Sequence, residues 1–445
     1  MVFLAVLAAA TAEATVAVSS REMVQQDAWV RQHLLSTNHL PPFSFTYDGQ
    51  PSSALLPAWK RTESDTTLDA HRLRRVLTWT TNGLRVRCVA VEYNDYPVVE
   101  WTVYLKNTGV HDTPILQDLQ GLDARWARGR GPEFVLNGLK GDFTTADSYE
   151  PYRITLEPNT IKECAPLGGK SSSGPAGWPY YNLQVPGGGI ILAIGWPGQW
   201  AGSFTRDAAD GLRVRAGQQL THLYLKPGEQ IRAPLILLLF WRGTNVVRAQ
   251  NLWRHFYLAH VIPRVNGQTP SSLTQIQVSG ADTAQVEAFL KAGIKPSICW
   301  RDAGGTYTWY PSSTGPWKGD NQWLNTGTWE VDPTKYPDGF KPFSDWVHAH
   351  GMKFLLWFEP ERVGDPRSWL GRHHPEWLLQ GEAQGLILNE GDPSAFHWLT
   401  NHFEALIKSN GLDWYREDMN GDGPLPAWCN HDAPDRQGIT ENFYV

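Results

Sequence analysis

The hydrophobic period of this chain changes once, near residue 263, and that change limits the fold more than any other feature. From about residue 40 to 242 the apolar positions recur at every second residue. Leu84, Val86, Cys88 and Ala90 alternate with Arg85 and Arg87, and after Asn94-Asp95-Tyr96-Pro97 the alternation resumes at Val99, Trp101, Val103 and Leu105. Strand side chains point to opposite faces in turn, so this is the signature of two half-buried strands joined by a turn. Asp210-Gly211 and Pro227-Gly228 punctuate further strands at 212–215 and 221–225. The runs 190–194 and 235–240 are almost wholly apolar, as strands covered on both faces are. So many strands with polar turns predict a large β-sandwich. Residues 245–258 then take helical spacing through Val246, Ala249, Leu252, Trp253 and Phe256, and residues 262–270 read as a linker.

Beyond the linker, strand and helix alternate. Val286, Phe289 and Leu290 form a helix stripe ending at Gly293, and residues 296–300 follow as a strand. Phe343, Trp346 and Val347 make a second helix stopped by Gly351, before a strand at 353–358. Leu399, Phe403, Leu406 and Ile407 make a third, capped near Gly411 and leading into residues 412–415. This order predicts a parallel sheet built from βα units. At 445 residues the chain exceeds what one core usually holds. The predicted division is a β-sandwich with its linking helix at 21–262 and an α/β domain at 263–445.

Residues 1–20 read as a leader. A short apolar core precedes Ala12-Glu13-Ala14, the small-x-small form of a signal-peptidase site, but no basic residue comes before it. Export to the periplasm or exterior is the expectation; an ordinary apolar N-terminus on a cytoplasmic protein is the alternative. No other apolar stretch reaches the ~18 residues of a membrane span.

Composition narrows the function. A net charge of -6, with no basic run, argues against a nucleic-acid surface. The 22 tryptophans raise the prospect of a carbohydrate ligand, since indole faces stack on the C–H faces of sugars, although indoles also fill large cores. Cys88, Cys164, Cys299 and Cys429 lie far apart with no CxxC pair, so a zinc site has no support and nothing requires a disulfide. No cofactor or metal is expected. Asp418-x-Asn420-x-Asp422-Gly423 matches the opening of a calcium loop, but its twelfth position is Cys429 and Pro424 and Pro426 interrupt it. Gly187-Gly188-Gly189 precedes a strand and is no phosphate loop.

Each apolar strand of the second half ends in charge: Arg301-Asp302-Ala303-Gly304, Glu359-Pro360-Glu361-Arg362, and Arg416-Glu417-Asp418-Met419-Asn420. Catalytic groups of parallel barrels sit at the C-terminal strand ends, so recurring carboxylates there predict one shared pocket. Paired carboxyl groups around a sugar are the working parts of most glycosidases.

Those residues also carry a resemblance. Asp302-Ala303-Gly304, the segment Gly351 to Val363 with Trp357-Phe358-Glu359-Pro360-Glu361-Arg362, His374-Pro375-Glu376-Trp377 and Tyr415-Arg416-Glu417-Asp418-Met419-Asn420 occur in that order. Together they resemble the α-galactosidases of glycoside hydrolase family 36, the melibiases, over nearly the whole chain. The resemblance implies a β-supersandwich followed by a (β/α)8 TIM barrel, of which this chain would hold the first half. It implies a retaining hydrolase of terminal α-linked galactose with Asp418 as nucleophile. Asp302 would bind the O4 and O6 hydroxyls. Arg416, where the family usually has Lys, and Asn420 would bind hydroxyls, and Trp357 would wall the pocket. Trp196 and Trp200, on the sandwich, would close it from above or pack in the core.

Three features depart from the family pattern. Gly305 stands where a Trp usually follows Asp-x-Gly, with Trp309 nearby, and no arginine is evident around Ala383-Gln384-Gly385. The strand-six acid/base aspartate is expected beyond Val445. The partner implied is an α-galactoside oligosaccharide, and the family often forms tetramers. An α-N-acetylgalactosaminidase, a raffinose-synthase-like transglycosylase and a sugar-binding protein without turnover stay open as alternatives.

Overall fold

The alternating segments pair as their period requires. In the computed structural model, which describes residues 16–269, 273–278, 283–303, 308–311, 326–381, 385–419, 421 and 423–445, strands Leu84–Tyr93 and Val98–Asn107 lie antiparallel with Ala90 opposite Trp101. The leader up to residue 15, together with Gly304, Gly305, Asn420 and Asp422, lies outside the described residues. The β-rich N-terminal region builds a ten-stranded sheet and seven strands of an eight-stranded one. Val86, Cys88, Trp101 and Val103 of the larger meet Leu119, Leu122, Phe204 and Val214 of the smaller in one core. Trp101 stitches the two sheets, its indole N–H donating to the Gly121 carbonyl at 2.8 Å. A Cβ on Gly121 would stand 2.8 Å from the Pro234 carbonyl oxygen, so glycine is what lets the backbones come that close.

The outer face of the larger sheet is covered as well. The Val246–Phe256 helix, N-capped by Asn245, sets Ala249, Leu252 and Phe256 on Ile191, Ala193, Leu237, Leu239 and Trp241. That explains why the runs at 190–194 and 235–240 are apolar throughout. A second helix, Ser20–Val30, also packs on this sheet and was not expected from the hydrophobic pattern. Its start is a capping box between Ser19 and Glu22, and buried Glu22 accepts from Arg248 at 2.6 Å and the Arg242 amide at 2.9 Å.

In the second half, strands Gln275–Val278, Ile298–Arg301, Lys353–Phe358 and Trp414–Glu417 form a parallel sheet in chain order. Cys299, Phe354, Leu356 and Phe358 point to one face, where Phe343 and Val347 of helix Lys341–Ala349 and Phe403 and Leu406 of helix Pro393–Asn410 cover them. Trp300, Leu355, Trp357 and Arg416 occupy the other face by alternation. The last strand starts two residues later than expected because Gly411, left-handed at φ 64°, and Leu412 first complete the helix end; the Leu412 amide donates to Ile407. Asp418 is thereby the first residue past the strand.

The division expected at residue 262 does not hold for the end of the chain. Arg436–Gln437 pairs antiparallel with His222–Leu223, and Ile439 enters the sandwich core. Among the described residues no helix is long and apolar enough to cross a membrane, and Cys88, Cys164, Cys299 and Cys429 are free thiols.

Candidate active site

Among the described residues, three donors converge on Asp418. Trp357 gives its indole N–H to Oδ2 at 2.9 Å, Arg416 gives a guanidinium N–H to the same oxygen at 3.1 Å, and the Met419 amide donates to Oδ1 at 2.9 Å. Strand pairing makes this convergence local: Trp357 lies opposite Arg416, and the Asp418 amide continues the ladder to the Phe358 carbonyl. The carboxylate stays 28% exposed. These contacts fix the orientation of the carboxylate at the sheet edge. The Arg416 guanidinium lies 4.7 Å over the ring of Trp300, a residue the sequence did not single out. That stacking holds the cation beside Asp418.

Asp302 follows the neighbouring strand on the same face. Arg301 pairs with Leu356, so Asp302 stands level with Trp357. Its Oδ2 accepts from Gln277 at 3.0 Å and its Oδ1 from the Ala303 amide at 2.7 Å. Trp300, Asp302, Trp357, Arg416 and Asp418 therefore share one face at the C-terminal edge of the sheet. The structure brings Asp302, Trp357, Arg416 and Asp418 together; Asn420 is outside the described residues.

The pocket-wall reading of Trp357 and the lid reading of Trp196 need correction. Trp357 is fully buried, packed 5.5 Å from Trp329, so it serves Asp418 through its N–H and presents no open ring face. Trp309 likewise packs against Trp329 and Phe358 and is fully buried. Trp196 and Trp200, 2% and 0% exposed, are struts inside the sandwich. The Trp196 indole donates to Glu441 at 2.8 Å under the Arg232 guanidinium, and Trp200 donates to the Ser171 carbonyl at 2.8 Å.

The carboxylates after strand Lys353–Phe358 also fail to join the shared pocket. Glu359 is fully buried in a two-pronged pair with Arg362, at 2.8 and 2.9 Å. Glu361 and Glu390 gather near Glu417, whose side chain lies on the helix-covered face beside Tyr415. Burial, with the neighbouring carboxylates, drives Glu361 far above the usual carboxyl range and pushes Glu390 up to about 8.

The sandwich reaches the site through a loop. Lys170 donates to the backbone carbonyls of Met419 and Gly421, directly after Asp418. The Gly168 carbonyl accepts the Leu425 amide at 3.1 Å, and Trp428 packs on Gly169 so closely that a Cβ there would lie 2.8 Å from its ring. Gln199 braces the loop, accepting from the Gly169 amide at 2.9 Å and donating to the Pro166 carbonyl at 2.6 Å. Glu441 ties that brace to the returning chain through the Gln199 amide at 2.6 Å; burial, opposed by these donors, leaves its carboxyl at about 7. No periodicity marks Lys170, because its partners are 249 and 251 positions away.

The profile of the melibiase family matches residues 312–427. Alpha-galactosidase 2 of Pediococcus pentosaceus is 25% identical over 369 residues, 78% of this chain and 44% of that protein. The Escherichia coli alpha-galactosidase is 34% identical over 125 residues, 26% of this chain and 17% of that protein. Among solved structures, the alpha-galactosidase from Lactobacillus brevis superposes with a TM-score of 0.66 at 19% identity, covering 92% of this chain and 56% of that one. The GH36 alpha-galactosidase AgaB from Geobacillus stearothermophilus gives 0.67 at 17% identity, covering 91% and 58%. The chain spans about half the length of the relatives it matches over most of its own length.

Proposed function

We propose that this chain, a member of glycoside hydrolase family 36, carries the nucleophile half of an active site that releases terminal α-linked galactose with retention of configuration. The observation that carries this reading is the three-donor setting of Asp418 at a parallel strand end. In the first step an Asp418 oxygen attacks C1 of the sugar, the bond from C1 to the leaving oxygen breaks, and that oxygen takes a proton. Water then attacks C1 of the glycosyl ester, restores the carboxylate and yields galactose. Retention asks for a second carboxyl about 5–5.5 Å from Asp418 to give and reclaim the proton. Asp302, held by Gln277 and its own neighbour's amide, keeps further lone pairs for the galactose O4 and O6 hydroxyls. Arg416 and Asn420 bind other hydroxyls.

The four parallel strands in chain order support reading this sheet as the first half of a (β/α)8 barrel, with the Asp418 face turned inward. The test is Asp418→Ala in the protein. Turnover of p-nitrophenyl-α-galactoside should vanish while the melting curve is kept, and azide should restore part of it as β-galactosyl azide. Turnover surviving in that variant would sink the assignment.

A further inference from the structure

The Val246–Phe256 helix covers the middle of the larger sheet but stops short of its last two strands, Val135–Leu139 and Pro151–Thr155 at the edge. Between helix and edge a recess of about 780 Å³ remains. Its walls are aromatic: Trp178 and Tyr180 from one side, Trp253 and Tyr257 from the helix and its continuation, all partly exposed. The rings brace one another, Tyr180 standing edge-on to Trp253 at 5.8 Å and joined to Tyr257 by a 2.9 Å bond between hydroxyls. Asn182 also lines this recess and is 2% exposed. Its Oδ1 accepts the Trp241 indole at 3.0 Å and its backbone carbonyl accepts Asn137 at 3.0 Å, yet its Nδ2 has no partner. A buried amide donor without a protein acceptor is satisfied by an ordered water or by an oxygen of a bound molecule.

We propose that this recess is a second carbohydrate site, taking a neutral sugar unit of an oligosaccharide. Aromatic faces suit the apolar C–H side of a pyranose, and the planar amides of Asn182 and Gln250 suit its equatorial hydroxyls. Among the described residues the lining holds no carboxylate, which argues against a cationic ligand. A second copy of the chain would need a broad flat patch of about 800 Å² per partner, whereas this site is concave with its unpaired donor buried. It shares no residue with the Asp418 site.

The test titrates raffinose into the full chain by saturation-transfer NMR and calorimetry, with Asp302→Ala and Asp418→Ala combined to silence the first site. Millimolar binding should persist in that background and weaken at least tenfold on Trp178→Ala or Gln250→Ala, both at partly exposed positions whose melting curves should not move. Complete loss of binding in the double variant would overturn the proposal. So would a Trp178→Ala chain that binds raffinose unchanged but sediments as a smaller species, which would make the face an interface between copies. Binding that depends on Trp178 alone, with none lost on removing Asp302 and Asp418, would sustain this site while defeating the proposed function.

Discussion

Lys170, carried by a loop of the sandwich, donates its ammonium to the backbone carbonyl of Gly421, three positions past Asp418. The segment that follows Asp418, the proposed nucleophile, is therefore fixed by a cation from the other half of the fold. Lys170→Met should leave the melting temperature within a few degrees but lower kcat by about 10–100-fold, since small misplacements of reacting groups are costly. Lys170→Arg should recover part of the loss. Equal activity in all three proteins, measured on p-nitrophenyl-α-galactoside, would show that the clamp is not needed.

Trp357 offers a sharper test of the donor set. Phenylalanine keeps most of the ring's packing and removes only the N–H that reaches Asp418 at 2.9 Å. A hydrogen bond to a charged group is worth about 1.5–3 kcal/mol. Trp357→Phe should thus lower kcat by about 10–100-fold with little change in KM. A change confined to KM would mean that the indole serves substrate binding instead.

Asp302→Asn should separate galactose from glucose. The two sugars differ at the axial O4, and a site built to hydrogen-bond a hydroxyl can reject the analogue lacking it by about 10⁴. The variant should lose most of its kcat/KM for α-galactosides while keeping its melt. Wild-type protein that cleaved α-glucosides equally well would contradict the pocket reading.

The buried carboxyls set a pH dependence of stability. Glu390 sits at about 8 and Glu441 at about 7 in the folded chain, both above their ordinary value. Groups raised in this way favour the fold while protonated, so their contribution is complete below about pH 4.5 and fades as the pH passes through 7 to 8. Glu390→Gln removes one of them. It should flatten the decline in melting temperature between pH 5 and pH 9 and add roughly 1–3 kcal/mol at pH 9. Parallel melting curves across that range would refute the assignment.

The architecture was legible where local pattern decides it. The change of period at residue 263 gave both sheet types, and the strand-end positions of Asp302 and Asp418 followed from alternation and Gly-capped helices. What stayed hidden depends on contacts across the chain. Lys170 meets its loop 251 positions away, and no neighbouring residue advertises that. Trp196 looked like a pocket lid because its Gly-Trp-Pro-Gly-Gln-Trp setting says nothing about which way the ring turns. Its partner Glu441 is 245 positions on. Its strand-end position placed Glu359 in the shared pocket, but Arg362, three residues later, seals it. The Ser19–Glu22 capping box is readable in the sequence and marks a helix that the period missed.

A ribosome releases Gln218 220 residues ahead of Gly438, whose carbonyl its amide holds. At ordinary elongation speeds that interval lasts on the order of 10–40 s. Throughout it the nascent sandwich carries a rim in which the Trp196 indole, the Gln199 amide and the His222–Leu223 edge await partners not yet made. The early-formed half of this protein is thus a long-lived, open-edged species during synthesis, and its survival until residues 436–442 emerge is a requirement of biogenesis distinct from the stability of the finished fold.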